Sequence, residues 1–135
     1  MNKLFNSIVI VALILTVIYW VMPSIDKYWL SDEELDLLSA NGWGSVFPNS
    51  SFIYWPLLAY WVIVSLGLLK RIKIARTLYA IGIVIFSIAS FMWGFSVLTP
   101  IEAGMSNILS LLDGAILVMA FLTSISNEFN ASPNK

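Results

Sequence analysis

Four stretches of the chain are apolar on every side, and the polar residues collect between them instead of alternating with them. The first runs from Leu4 to Met22, broken only by Asn6, Ser7, Thr16 and Tyr19. As a helix it rises about 28 Å, close to the ~30 Å hydrocarbon thickness of a bilayer. An apolar run behind Lys3 also resembles a secretory leader, but the exit Tyr19-Trp20-Val21-Met22-Pro23 lacks the small residues that cleavage needs. It reads as a retained span.

The second stretch, Phe52 to Leu69, carries Pro56 in its first turn, where a missing N–H costs little. The third runs from Thr77 to Leu98. The fourth is expected over about 104–125, although Thr99-Pro100-Ile101-Glu102 has the form of an N-cap, a proline at the first helical position and a capping-box glutamate. That helix can therefore open at Pro100 in the interface.

These stretches predict an all-α integral membrane protein: one domain, 1–135, folded as a four-helix transmembrane bundle. Its spans are expected at about 4–22, 52–69, 77–98 and 104–125, with an outer loop at 23–51 and a cytoplasmic hairpin at 70–76. Within the loop, Ser31-Asp32-Glu33-Glu34 is a second capping-box signature, flanked by Leu30 and Leu35 as a hydrophobic staple and stopped by Asn41-Gly42. A short amphipathic helix over about Asp32 to Ala40 follows, with Leu35 and Leu38 on one face, lying on the bilayer or on the bundle's outer end. Residues Asn127 to Lys135 are expected to fray.

Composition makes lipid the necessary solvent. Only 11% of residues are charged against 59% hydrophobic, and the mean hydropathy is +0.87; a soluble domain carries about 25% charged residues. The chain has no Cys and no His. That removes disulfides, thiolate chemistry, the usual zinc and haem ligands and the commonest general base. No cofactor and no metal site are expected.

Charge supplies orientation. Lys3, the Lys70-Arg71-Ile72-Lys73-Ile74-Ala75-Arg76 hairpin and Lys135 fall on one side of four crossings, leaving Lys27 alone on the other. Lysine and arginine near span ends mark the cytoplasmic face. Asp26, Asp32, Glu33, Glu34, Asp36 and Glu102 collect opposite, as do Trp20, Trp29, Trp43, Trp55 and Trp93 in the manner of an aromatic belt. The expected setting is a plasma membrane, the bacterial inner membrane in particular, with both termini cytoplasmic.

Asp113 is the acid inside a span. An ionised carboxylate without a partner there costs several kcal/mol, so a protonated acid donating to a hydroxyl at similar depth is expected. Ser90, Tyr60 and Thr16 are the candidate neighbours. Ser90 is favoured because Ser87, Ser90 and Gly94 share a face of the third span and Gly114-Ala115 adjoin Asp113. Asp113 then admits three readings: a proton-coupling or cargo site, an interhelical hydrogen bond that fixes register, or a contact with another subunit.

In the outer loop, Trp29, Leu35, Leu38, Trp43 and Phe47 form a candidate partner-binding surface, or equally an anchor in the headgroups. Asn49-Ser50-Ser51 matches the glycosylation acceptor pattern. The basic hairpin is what topology demands, and no nucleic-acid partner is expected.

Catalysis is not expected, because the carboxylates of the last span, Glu102 and Asp113, lie about three turns apart, too far to share a proton. Two functional readings remain. The first is a non-catalytic membrane protein of partner-binding or accessory type, engaging the bilayer and a membrane protein partner or a second copy of itself. The alternative is a proton-coupled small transporter or channel subunit using Asp113.

Overall fold

The computed structural model describes residues 1–46 and 51–130, with the backbone alone at 51–53, and its regular elements are all helical. Helix α1 spans Asn2–Ile25 and passes through a 3-10 turn at Asp26–Tyr28 into α2, Asp32–Ser39. Helix α3 covers Ser51–Leu69, α4 Lys73–Ser90, α5 Pro100–Leu122 and α6 Ile125–Asn130.

Three of these helices, α1, α4 and α5, are long and apolar enough to cross a membrane; α3 contributes a shorter apolar stretch, Tyr54–Leu69. Their outward faces stay apolar: Ile10, Ile14 and Ile18 on α1, Ile81, Val84 and Ile88 on α4, Leu111 and Val118 on α5 are all exposed. Helices that are apolar on both faces call for lipid as solvent. The protein is membrane-embedded.

Inward faces follow the helical period. Phe5, Val9 and Ala12 bury one stripe of α1, Val64 and Leu68 one of α3, Ala75, Tyr79 and Gly82 one of α4, and Ile116 and Ala120 one of α5. Helix α1 packs mainly on α5 and α3, and α3 packs on α4; the α4–α5 seam closes the ring with the least direct packing. At Gly67 the absent Cβ lets α3 approach Ala75 of α4 directly. The closest approach of small residues therefore lies between α3 and α4, not beside Asp113, and a Cβ on Gly114 would meet open space.

Both capping boxes are present. Ser31 and Thr99 accept from the backbone N–H groups of Glu34 and Glu102, whose carboxylates accept from the two cap N–H groups at 2.8 Å. The Ser31 N–H and hydroxyl hold the exposed Glu34 carboxyl below its ordinary value. The amphipathic helix forms at Asp32–Ser39 as the sequence predicts.

Two boundaries differ from expectation. Helix α1 continues through Pro23 to Ile25, one turn past the expected exit. Helix α4 stops at Ser90, and residues expected to finish a span instead bond to the first loop. Gly42 and Val46 donate to the Phe95 and Met92 carbonyls at 2.7 and 3.0 Å, Phe95 donates to the Trp43 carbonyl at 2.8 Å, and the Val97 N–H reaches Asn41 Oδ1 at 3.1 Å. Gly94 makes the turn at φ +78°, where a Cβ would strike the Trp43 carbonyl. Its missing side chain is what lets the two loops meet. Helix α5 opens at Pro100, the start that its capping-box sequence offers.

The chain end also departs from the expected fraying. Helix α6 folds back beneath the bundle, with Ile125 and Phe129 buried at 0% and 2% exposure. Residues 131–135 lie outside the described part.

Candidate functional site

The hairpin end is built around two arginines. Helix α3 ends in a Schellman arrangement: the Ile72 and Arg71 N–H groups donate to the Gly67 and Leu68 carbonyls at 2.9 and 3.0 Å. Such a stop needs a left-handed residue, ordinarily glycine, and here it is Arg71 at φ 57°. That conformation turns its guanidinium inward. Arg71 Nε pairs with Glu128 at 2.9 Å, Nη2 donates to Asn6 at 2.9 Å, and the group lies 4.4 Å from the Phe5 ring centre.

Arg76 completes the clasp from α4. Its Nη1 donates to the carbonyls of Ala120 in α5 and Ser126 in α6, each at 3.3 Å, and with the Thr123 hydroxyl on the Met119 carbonyl at 2.6 Å it satisfies the last turn of α5. The guanidinium also sits over Phe121 and Phe129 at 4.7 and 5.4 Å. Glu128 lies outside the spans, and hydrogen bonds from Arg71 and Asn2 hold its carboxyl below the usual glutamate range. The basic hairpin thus has a structural use in addition to its topological one.

Asp113 is half-buried on α5 and meets a partner the sequence did not suggest. The Tyr79 hydroxyl donates to Asp113 Oδ1 at 2.6 Å, across the α4–α5 seam. The three expected neighbours are engaged elsewhere. The Ser90 hydroxyl donates to Ser87 O at 2.7 Å, Tyr60 to Leu78 O at 2.7 Å, and Thr16 to Ala12 O at 2.8 Å. Ser90 ends its helix in an exposed position, far along α4 from Tyr79. Tyr79 lies one turn from Arg76, and the side of α4 that it shares with Ala75 and Gly82 is the buried one.

At the opposite, loop end, the paired segments 41–46 and 92–97 form a cap. Trp29, Trp43, Phe91 and Phe95 stand exposed on it, and Asp32, Glu33, Glu34 and Asp36 flank them. Of the candidate surface residues, Trp29 and Trp43 are exposed, whereas Leu35 and Leu38 line a cavity. Phe47 and Asn49 lie outside the described residues.

Beneath this cap are two carboxylates, Asp26 and Glu102, each 5% exposed. Glu102 is explained by its capping box. Asp26 is not: it ends α1, and no described residue donates a hydrogen bond to its carboxylate. Two adjoining cavities of about 230 and about 280 Å³ share Asp26 in their walls. The signal for Asp26 was present in the sequence, since the buried stripe of α1 reaches it from Met22 in one more turn. Reading Pro23 as a stop concealed it.

The described residues hold no group of three or more His, Cys, Asp or Glu that could grip a metal ion. Comparison of the chain with known protein families, with curated proteins and with solved structures finds no match.

Proposed function

We propose that this chain is a non-catalytic, four-span protein of the plasma membrane whose loop-end cap binds a membrane protein partner. The observation carrying this reading is that the cap is ordered by main-chain hydrogen bonds while it presents aromatic side chains outward; Phe91 is 90% and Trp43 75% exposed. Aromatic anchors on a pre-organised backbone lose little entropy on binding. The acids of α2 favour a partner with basic or aromatic groups at the same level. Exposed Lys70 and Lys73 at the hairpin end support a cytoplasmic location for that end and both termini, with the cap on the outer face.

A photo-crosslinking residue at position 43, introduced in native membranes, is expected to give one discrete adduct. The same probe at position 70 should give none, and Phe91→Ala should weaken the first adduct. A chain that stays solitary at both positions would refute the reading.

A second reading, a proton-coupled transporter or channel subunit, is favoured by the Tyr79–Asp113 hydrogen bond, which sets an acid with no ion-pair partner among the described residues at the least tightly packed seam. Its test is flux in proteoliposomes under a pH gradient. Asp113→Asn keeps the hydrogen bonding and removes the titration, so uptake that is indifferent to it excludes coupling through this residue.

A further inference from the structure

Asp26 is placed where a carboxylate is least favourable. The residue is 5% exposed, and its carboxylate meets solvent through the two cavities whose walls it shares. It caps the C-terminus of α1, where the helix dipole favours positive charge. Glu102, equally buried, adds a second negative group in the same cavity wall. No side chain among the described residues answers this charge: their ion pair, Arg71–Glu128, lies at the far end, and the neighbouring Lys27 ammonium is turned onto the Tyr28 ring at 5.1 Å. All three disadvantages are relieved by one occupant, a cation.

We propose that the Asp26–Glu102 vestibule binds a primary ammonium group. The acceptors fit in number. Both oxygens of Asp26 and Oε1 of Glu102 take no hydrogen bond from the described residues, and an ammonium has three N–H donors. A divalent metal is poorly served, because calcium takes 6–8 oxygen ligands, and here the described residues offer two carboxylates. The remaining walls are apolar, with Met22, Leu30 and Ile101 in one lobe and Leu35 and Leu38 in the other. They suit the methylene groups that carry an amine. Cavities of about 230 and about 280 Å³ admit a small headgroup and no large ligand. The site lies between the last turn of one membrane-crossing helix and the first turn of another, level with lipid headgroups. The ammonium can therefore come from an aminolipid or from a free small amine. This site does not depend on the partner-binding reading of the cap.

The full chain, reconstituted in nanodiscs without aminolipid, is titrated with ethanolamine while thermal unfolding is followed. A saturable rise in unfolding temperature is expected. Sodium chloride, tetramethylammonium chloride and guanidinium chloride at equal concentration should not reproduce it. Asp26→Asn should weaken apparent ethanolamine affinity about tenfold or more. Glu102→Gln, which preserves the capping box, should weaken it less and serves if the first variant does not fold. In a second arm, native mass spectrometry after reconstitution in equal phosphatidylethanolamine and phosphatidylglycerol reads the source. Retention of the aminolipid by the wild type, lost in the variants, identifies the headgroup; the ethanolamine shift without lipid preference identifies a free amine. The proposal is overturned by no saturable shift together with no aminolipid retention, by an unchanged shift in both variants, or by sodium, tetramethylammonium or guanidinium acting as well as ethanolamine.

Discussion

The two ends of the bundle treat buried charge in opposite ways. At the hairpin end, Arg71 and Arg76 enter a packed core, and their N–H groups find a carboxylate, two amides and three helix-terminal carbonyls; only Arg76 Nε is left buried without an acceptor among the described residues. At the loop end, Asp26 lines a cavity, and its carboxylate finds no hydrogen-bond donor among the described residues. A buried charge that is fully bonded fixes geometry, whereas one left unpaired waits for something to complete it. The first end is a clasp, and the second has the character of a site.

The sharpest test of this contrast removes one aromatic group from each end. Phe129→Ala empties a position that is 2% exposed beneath both arginines, and about 3 kcal/mol of stability should be lost in denaturant titration. Limited proteolysis near 123–125 should also quicken, because Phe129 and Ile125 are the side chains by which α6 is buried while its remaining ties, to Arg71, Arg76 and Asn2, are polar. Trp43→Ala, on the exposed cap, should change stability by under about 0.5 kcal/mol. Equal losses at the two ends would end the distinction.

A smaller effect separates the backbone of Arg71 from its side chain. Arg71→Ala should cost about 2 kcal/mol, since it deletes the ion pair with Glu128, the hydrogen bond to Asn6 and the packing on Phe5, with the left-handed strain unchanged. Arg71→Gly loses the same side chain but relieves the strain, and should be about 1 kcal/mol less damaging in the same titration. If glycine were the worse of the two, the Schellman account of this turn would be wrong.

At the α4–α5 seam, Tyr79→Phe removes the donor to Asp113 and should cost about 1 kcal/mol, measured by unfolding in mixed micelles. The smallest effect is electrostatic. Because the folded state holds the Glu128 carboxyl below 4.5, its stabilising contribution is complete at neutral pH and is lost as pH falls through that depressed value. The stability difference between wild type and Glu128→Gln should stay constant above about pH 5 and fade below about pH 4. A difference that grew on acidification would reverse the assigned cause.

Much of the architecture could be read along the chain because it is locally encoded. Ser31–Glu34 and Thr99–Glu102 are three residues apart and cap their own helices, so no distant part of the molecule is needed to specify them. The end of α4 was not legible in the same way. Residues 91–98 are apolar enough for a span, and only pairing with 41–46 shows where their N–H and carbonyl groups are satisfied. The partner of Asp113 was missed for a related reason: depth in a span narrows the candidates, but which face of α4 turns toward α5 is a matter of packing.

The sequence by itself determined that lipid surrounds this protein and where its helices broadly lie, because apolar length and capping chemistry are properties of consecutive residues. Tertiary structure alone decided that Arg71 and Arg76 hold α6 and that Asp26 faces a cavity. Those outcomes depend on groups from separate helices meeting at one point, and the spacing of residues along a single helix does not carry that information.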